Sequence, residues 1–200
     1  GLEALARTAN GGVIRRADGQ AVQSVAFVQC AGQRDASGTH LGYCSGHCCA
    51  TSVKQAMYFK DANPDIDAVV IYTDLRMPGM GEDFYRSAQR KGVTFTKGKV
   101  TQVNADGGGA SVNFRDLILD TDANLVADLV VLATGQVPNS GVNIDLPNEA
   151  QANVKPVSIL NLTYRQGKDL PQLKAGLTDS HFICFPYETR RTGIYAAGPV

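Results

Sequence analysis

The chain concentrates its reactive side chains in one short stretch. Four of its five cysteines, Cys30, Cys44, Cys48 and Cys49, fall within CAGQRDASGTHLGYCSGHCC, with 13 residues between the first two and three between the next two. Clustered thiols ligate soft metals or exchange disulfides. An odd total of five cysteines, four of them gathered in one segment of a 200-residue chain, is unlike a small secreted disulfide scaffold. The stretch therefore predicts metal or redox chemistry.

Three kinds of site suit a set of four thiols. Cys₄ ligation occurs in 4Fe–4S clusters and in structural zinc sites. The adjacent pair Cys48–Cys49 departs from the C-x₂₋₄-C knuckles that zinc sites usually use, and the spacing also differs from the common ferredoxin pattern. A thiol–disulfide redox site is the third alternative. The residues favour an iron–sulfur cluster and leave open zinc, disulfide exchange and buried thiols without a function.

Strand-like and helical patterns alternate around the cysteines. The apolar runs SVAFVQC (24–30) and AVVIYTDLR (68–76) predict buried strands, and a helical stripe begins at about Cys44 and ends before the Asn-Pro at 63–64. Four further elements are predicted: a helix over 82–92, a strand over 93–105, a glycine hairpin tip at 107–109 and a closing buried strand over 125–135. This order predicts an α/β fold of the dinucleotide-binding, Rossmann-like type.

The predicted elements place the cysteines where such a fold binds its ligand. Cys30 follows the first strand and Cys44 opens the first helix. Cys48 lies one turn further along the same helix face, and Cys49 lies about 100° around from it. Dinucleotide-binding folds carry G-x-G-x-x-G between these elements, but this chain has C-A-G-Q-R-D there. Since a helix N-terminus favours negative charge, we expect thiolates to occupy the ligand position.

The composition excludes some partners. Nineteen basic residues balance nineteen acidic ones, so the chain offers no concentrated positive field for nucleic acid or for an anionic membrane. No apolar run approaches the roughly 18 residues of a membrane-spanning helix, which predicts no direct membrane insertion. The opening, GLEALARTAN, has neither a signal-peptide pattern nor an initiator Met, and it indicates a piece of a longer protein.

Two charged residues near the cysteines have two possible roles each. Asp74 ends the second predicted strand, where the acid of a Rossmann fold would meet a ribose; otherwise it caps a turn. Arg34 either donates to cluster sulfurs or pairs with Asp35 or another loop acid. The choice depends on which groups the fold brings next to each side chain.

Two segments resemble known redox proteins. VQCAGQRD…YCSGHCCATSVKQA resembles the A subunit of heterodisulfide reductase and its relatives, in which a thioredoxin-reductase-like flavoprotein core carries a 4Fe–4S site of this type. The tail, with LNLTYRQGKDLPQLKAG and FPYETRRTGIYAAGPV, is similar to the heterodisulfide-reductase-like subunits of the quinone-interacting membrane-bound oxidoreductase (Qmo). The resemblance implies that Cys30, Cys44, Cys48 and Cys49 ligate the cluster.

The resemblance also implies a role in electron transfer between flavin and iron–sulfur clusters. The implied partners are the other subunits of a membrane-associated redox complex of sulfur metabolism, together with adenylylsulfate reductase. The implied location is cytoplasmic, peripheral to the membrane through partner subunits. Two alternatives stay open: a pyridine-nucleotide-dependent disulfide oxidoreductase and a zinc-stabilised interaction domain.

The same resemblance implies FAD in the parent protein. VVLATGQVPN (130–139) resembles the A-x-G-R-x-P-N element of flavin disulfide reductases, with Gln136 in place of the Arg. TGIYAAG (192–198) resembles the second FAD fingerprint, T-x-x-x-x-A-G-D, with Pro199 in place of the Asp. The implied FAD contacts are Gly135, Pro138, Thr192, Gly193, Ala197 and Gly198. The first FAD fingerprint is absent from the 200 residues, so the isolated chain is expected neither to hold FAD nor to be active.

The predicted organisation has three parts. Residues 1–20 are predicted as a connector from a missing N-terminal FAD half. Residues 21–136 are predicted as a Rossmann-like domain of the NAD(P)-binding type that carries the cysteine motif, and residues 137–200 as a partial return segment of an FAD domain. The change to a loop-rich composition at about 137 marks the second boundary.

Overall fold

The computed structural model describes residues 2–9, 12–137, 173, 177–181, 185–190, 192–195 and 197. The chain divides into two compact units, Gly1–Gly135 and Gln136–Val200. The elements of the first unit are α1 (Leu2–Ala9), β1 (Ser24–Val28), α2 (Cys48–Ala62), β2 (Asp67–Tyr72), α3 (Gly81–Arg90), β3 (Thr94–Asp106), β4 (Gly109–Asp116), β5 (Thr121–Ala127) and β6 (Leu129–Leu132). In the second unit, β7 (Ser180–His181) and β8 (Phe185–Thr189) pair antiparallel.

One six-stranded sheet organises the first unit, in the strand order β5-β4-β3-β2-β1-β6. Strand β1 pairs in parallel with β2 and with β6, and β2 pairs in parallel with β3. Strands β3, β4 and β5 form an antiparallel ribbon. The parallel part therefore has the third-second-first-fourth order of half a doubly wound sheet. This order confirms the predicted α/β, Rossmann-like fold.

Apolar side chains on both faces of the sheet hold the helices and the ribbon in place. On the helix side, Phe27 of β1 and Phe59 of α2 are fully buried, with ring centroids 6.3 Å apart in an edge-to-face contact. On the other side, Phe114 of the ribbon lies against β3 at Gly98, where an added Cβ would come within 2.7 Å of the ring. Packing on both faces fixes the strand ends next to the cysteines.

The predicted closing strand over 125–135 is wrong, because the chain forms two strands there. Strand β5 closes the antiparallel ribbon, and β6 starts beside β1. Asp128 stabilises the change of direction, since its carboxylate accepts the backbone N–H groups of Gln23 at 2.8 Å and Ser24 at 3.0 Å. Strand β6 is a half-buried edge strand, with Leu132 50% exposed, instead of the buried strand that its sequence predicts.

Helix α2 begins later than the sequence predicts. Its first residue is Cys48, and Cys44 lies in the preceding loop instead of opening the helix. Gly46 has φ +66°, a left-handed conformation that a helix cannot include, and its N–H donates to Cys44 Sγ at 3.3 Å. Cys44 and Cys48 therefore do not share a helix face. The predicted helix end is confirmed, since α2 stops before the Asn-Pro at 63–64.

Two polar contacts shape the described residues of the second unit. Arg190 Nε lies 2.9 Å from Asp179 Oδ2, and the N–H of Gly193 donates to Glu188 Oε1 at 2.7 Å. In the described part of the whole chain, no helix is both long enough and apolar enough to cross a bilayer.

Candidate metal centre

The four clustered cysteines lie at one corner of the sheet. Cys30 follows β1 at the carboxyl end of the parallel strands, and Cys48 and Cys49 are the first two residues of α2. Cys44 lies in the loop between them. All four are free thiols, of which Cys49 is buried and the other three are half-buried. The strand end and helix start that hold them are where a doubly wound fold binds its ligand.

Burial and mutual charge shape the thiols at the start of α2. Burial raises the pKa of the Cys48 thiol, and the charges of Cys49, Cys44 and Cys30 raise it further. Burial also raises the pKa of the Cys49 thiol, while a hydrogen bond from the backbone N–H of Arg76 acts in the opposite direction. Four thiolates in this arrangement would repel one another, so the site suits a cationic group that neutralises them.

Arg34 links the first cysteine to the end of the second strand. Its Nη2 donates to Asp74 Oδ2 at 2.7 Å. This hydrogen bond and a further one to the Cys30 sulfur raise the pKa of the Arg34 guanidinium above its ordinary value. Arg34 therefore forms the salt bridge with a loop acid that the sequence offers as one alternative, and the Cys30 sulfur contributes to the raised pKa of its guanidinium. Asp74 lies two residues beyond β2, and its carboxylate is engaged by this salt bridge.

Asp35 orders the loop between Cys30 and Cys44. Its carboxylate accepts hydrogen bonds from the Ser37 N–H at 2.9 Å, the Ser37 hydroxyl at 2.7 Å and the His40 N–H at 2.8 Å. These bonds lower the pKa of Asp35 to about 2. The loop therefore keeps its shape through a carboxylate that stays ionised at neutral pH.

Gln33 holds the same loop from the inside. It is 5% exposed, and its Oε1 accepts the backbone N–H and the hydroxyl of Ser45 at 3.0 and 3.1 Å. Its Nε2 donates to the carbonyl oxygen of Thr134 at 2.6 Å and lies 4.0 Å from Cys48 Sγ. An added Cβ at Gly135 would lie 0.7 Å from this Nε2, so glycine leaves the space that the amide occupies.

A second buried amide lies beside the thiols. Gln29 stands between β1 and Cys30, is 7% exposed, and lines with Cys30 and Arg34 a cavity of about 750 Å³. Its Nε2 and Oε1 have no hydrogen-bond partner among the described residues. An unpaired buried polar atom costs about 1–3 kcal/mol, and such atoms often mark a place where an ion or a water binds. Gln29 is therefore an unpaired buried amide at the end of β1, next to Cys30.

A single metal ion and a 4Fe–4S cluster place different demands on four thiols. Among the residues that the structure describes, no three His, Cys, Asp or Glu side chains are arranged to hold one metal ion together. A structural zinc site needs four donors that meet at one atom. In a Cys₄ 4Fe–4S cluster, by contrast, each thiolate binds a different iron atom. The described residues therefore show no single-ion site, and a cluster bound by the four free thiols stays a prediction.

The residues that the resemblance assigns to FAD are described only in part. Gly135 and Gly193 have φ values of +82° and +83°, and Thr192 and Ala197 are exposed. The two remaining residues assigned to FAD, Pro138 and Gly198, lie outside the described residues. FAD binding at these positions stays a prediction.

Sequence patterns miss the two buried glutamines. Gln29 has a weak signal, because it is a polar residue directly after a run of apolar strand residues. Gln33 has none, because its partners lie 12 and 101 residues away along the chain. Only the folded arrangement brings these groups together.

Fold and site together define a class of protein: a Rossmann-like α/β unit in which four free thiols replace the glycine-rich phosphate loop. No family model matches the chain. Among solved structures, the thioredoxin reductase of T. acidophilum covers 88% of the chain and 44% of its own length, at 14% identity and a TM-score of 0.43. That likeness is slight, and the fold assignment rests on the strand order.

Curated relatives are more informative. The chain is 36% identical over 196 residues to the A subunit of the H(2):CoB-CoM heterodisulfide,ferredoxin reductase of Methanothermobacter thermautotrophicus, a match that covers 94% of the chain and 26% of the relative. It is 38% identical over 130 residues to the iron-sulfur A subunit of the CoB–CoM heterodisulfide reductase of Methanocaldococcus jannaschii, covering 62% of the chain and 20% of the relative. The chain is therefore similar to the A subunits of heterodisulfide reductases and spans about a quarter or less of these relatives.

Proposed function

We propose that this chain is the part of a heterodisulfide-reductase-like flavoprotein that carries an iron–sulfur electron-transfer centre, with Cys30, Cys44, Cys48 and Cys49 as ligands of a 4Fe–4S cluster. The observation that carries the proposal is the gathering of four free thiols at the carboxyl end of β1, the first turn of α2 and the loop between them. The name of the Methanocaldococcus relative, which calls it an iron-sulfur subunit, supports the proposal.

A bound cluster would supply one-electron transfer at this corner of the sheet. The backbone N–H of Gly46 donates to Cys44 Sγ, and the Arg34 guanidinium and the backbone N–H of Arg76 lie close enough to Cys30 and Cys49 to shift the pKa values of Arg34 and Cys49. Hydrogen bonds to sulfur and burial of the ligands set the potential of such a centre. The contribution of the protein is therefore positive partial charge around the sulfurs and partial exclusion of water.

We extend the proposal to the longer protein, in which the chain would work beside FAD and pass electrons between flavin and clusters of a multi-subunit complex. The relatives are named as the A subunits of reductases, which supports an oxidoreductase with partner subunits. The similarity of the tail to Qmo subunits adds a quinone-interacting complex of sulfur metabolism, with adenylylsulfate reductase as electron partner and a cytoplasmic, peripheral location. The FAD contacts belong to this proposal: Gly135, Pro138, Thr192, Gly193, Ala197 and Gly198.

The first prediction concerns the iron content of the chain. After anaerobic purification, or reconstitution with iron and sulfide, we expect about four iron and four acid-labile sulfide atoms per chain. Single serine substitutions at Cys30, Cys44, Cys48 or Cys49 should each lower the iron content by about half or more, because a hydroxyl is a poor substitute for a thiolate ligand. Cys184→Ser is the matched control, because Cys184 lies outside the clustered motif, and it should leave the iron content unchanged.

Metal analysis also separates this proposal from its two alternatives. Zinc without sulfide, lost in the same four variants, would favour the zinc-stabilised interaction domain. A metal-free chain that loses two thiols on mild oxidation and reacts with a pyridine nucleotide would favour the disulfide oxidoreductase. Iron that is unaffected by all four serine substitutions would remove the proposed ligand set.

A further inference from the structure

We propose that Gln33 is a positioning residue of the cysteine site and that Gly135 provides the space for its side chain. The inference rests on the proposed function, because the thiols that Gln33 positions are the proposed cluster ligands. The resemblance assigns Gly135 to FAD, and the packing of the Gln33 amide gives this glycine a second role within its own unit.

The Gln33 amide joins segments that are far apart in the sequence. Ser45, which lies 12 residues after Gln33, stands between Cys44 and Cys48. Thr134, 101 residues after Gln33, follows the end of β6. One buried side chain therefore ties the loop that carries two of the thiols to the end of the edge strand, and both heteroatoms of its amide are used in doing so.

Gly135 makes this arrangement possible. An added Cβ would lie 0.7 Å from Nε2 and 1.9 Å from Cδ of Gln33, so a side chain at position 135 and the Gln33 amide exclude each other. The backbone at Gly135 also has φ +82°, which strains any other residue. Gly19 has nearly the same φ of +83° but nothing within 4 Å of an added Cβ, so it separates backbone strain from the clash.

Displacement of Gln33 would release the loop around Ser45. The Ser45 N–H and hydroxyl would both lose Gln33 Oε1 as an acceptor, and Cys48 would lose its amide neighbour at 4.0 Å. The loss of a buried acceptor shared by two donors favours a more open loop, in which water can take its place. In the iron-loaded protein, removal of a donor near a ligand sulfur disfavours the more negative, reduced state and lowers the midpoint potential.

A double-mutant cycle on the cluster-free chain tests the inference. The variants are Gln33→Ala, Gly135→Ala and the double substitution, and the readout is the rate at which iodoacetamide alkylates each cysteine, followed by mass spectrometry. Each single variant should speed alkylation of Cys44 and Cys48 by about five- to tenfold, the factor expected for the loss of one net hydrogen bond. The double variant should be alkylated at about the same rate as Gln33→Ala. Any further increase should be no larger than the change that Gly19→Ala causes in the wild type.

Two further variants keep the test decisive. Gly19→Ala is the matched control for backbone strain and should change the rates by less than about twofold. Ser45→Ala removes the hydroxyl that donates to Gln33 Oε1 and keeps the backbone N–H contact, so it should act in the same direction with a smaller increase, which decides the matter if Gln33→Ala does not fold. After iron loading, the midpoint potential of Gln33→Ala should be lower than that of the wild type, a shift that a merely structural role would not produce.

Unchanged alkylation of Cys44 and Cys48 in folded Gln33→Ala or Ser45→Ala would overturn the inference. The inference would also be overturned if Gly135→Ala speeds alkylation by the same factor in the wild type and in the Gln33→Ala background. Failure of the proposed function would look different. A chain that binds no iron but shows the coupled alkylation rates would refute the cluster while leaving Gln33 as the residue that positions the cysteine loop.

Discussion

Two neighbouring regions of the first unit are stabilised in different ways. Between β1 and α2, apolar side chains such as Phe27 and Phe59 are fully excluded from water. The loop over 30–47 has positive φ at five positions, and its shape depends on the polar contacts of Asp35 and Gln33. One region is held by many interchangeable apolar contacts, and the other by a few specific hydrogen bonds.

The difference teaches how such a fold can carry a reactive site. Apolar packing is spread over many atoms, so it tolerates local changes at the strand ends without unfolding. The loop has few contacts, each of which fixes the position of particular groups. Cys48 and Cys49 belong to both regions, because they start a helix that is anchored further along by the buried ring of Phe59. The stability of the fold should therefore depend on the apolar core, whereas the arrangement of the thiols should depend on the loop.

The largest effect on stability is expected in the core. Phe59→Ala removes a ring that is 0% exposed and packs edge-to-face on Phe27, so it should lower the free energy of unfolding by about 3–5 kcal/mol. Urea unfolding of the cluster-free chain measures this loss. Ile118→Ala is the control, because Ile118 is 74% exposed and its truncation should change stability by less than about 0.5 kcal/mol.

The contrast between the core and the loop fails if one substitution changes both the stability and the iron content. Phe59→Ala should leave the iron content per folded chain at the wild-type value, whereas Cys44→Ser should lose iron and keep the wild-type urea midpoint in the cluster-free form. Iron loss in Phe59→Ala beyond its unfolded fraction would mean that core packing sets the thiol geometry directly.

An intermediate effect is expected at Asp128, a polar contact inside the sheet. Asp128→Ala removes the acceptor of the Gln23 and Ser24 N–H groups, and should cost about 1–3 kcal/mol at neutral pH. These hydrogen bonds lower the pKa of Asp128 below its ordinary value of 3.8, against the opposing effect of burial. Because the folded-state pKa is the lower one, the contribution is complete above the unfolded pKa and is lost as the pH falls through the folded pKa.

The pH dependence of unfolding tests whether the contribution of Asp128 to stability is lost as the pH falls. Urea midpoints of the wild type and Asp128→Ala should differ most at neutral pH and converge as the pH falls below the unfolded pKa of Asp128. The exposed Asp65 provides a control, since Asp65→Asn should follow the wild-type curve. A constant difference between wild type and Asp128→Ala over the whole range would mean that the ionised carboxylate is not the group that stabilises the turn.

The regular elements can be predicted from the sequence because their signal is local. Apolar runs mark β1 and β2, and the Asn-Pro at 63–64 ends α2 as expected. The break at Asp128 has no such signal, because apolar residues continue on both sides of it. What decides the break is a pair of hydrogen bonds to Gln23 and Ser24, more than 100 residues earlier.

The cysteine site can be predicted in position but not in local geometry. The order of elements places Cys30 after β1 and Cys48 at α2, as the structure has them. Cys44 is misplaced because the helical pattern continues back past Gly46, whose left-handed backbone keeps the helix from starting there. The contacts of Gln33 depend on the return of the chain at β6, which no local pattern contains.

The smallest change in the free energy of unfolding is expected at Gln29. The change should be opposite in sign to that at Gln33. The two residues are 7% and 5% exposed, but Gln33 pairs both amide atoms, whereas those of Gln29 have no partner among the described residues. Gln29→Leu should therefore raise the free energy of unfolding of the cluster-free chain by about 1 kcal/mol, while Gln33→Leu should lower it by a similar amount. Urea midpoints at constant slope measure both changes. A destabilised Gln29→Leu chain would mean that the Gln29 amide already has a partner before any cluster binds, and that the strand end is as fully paired as the loop.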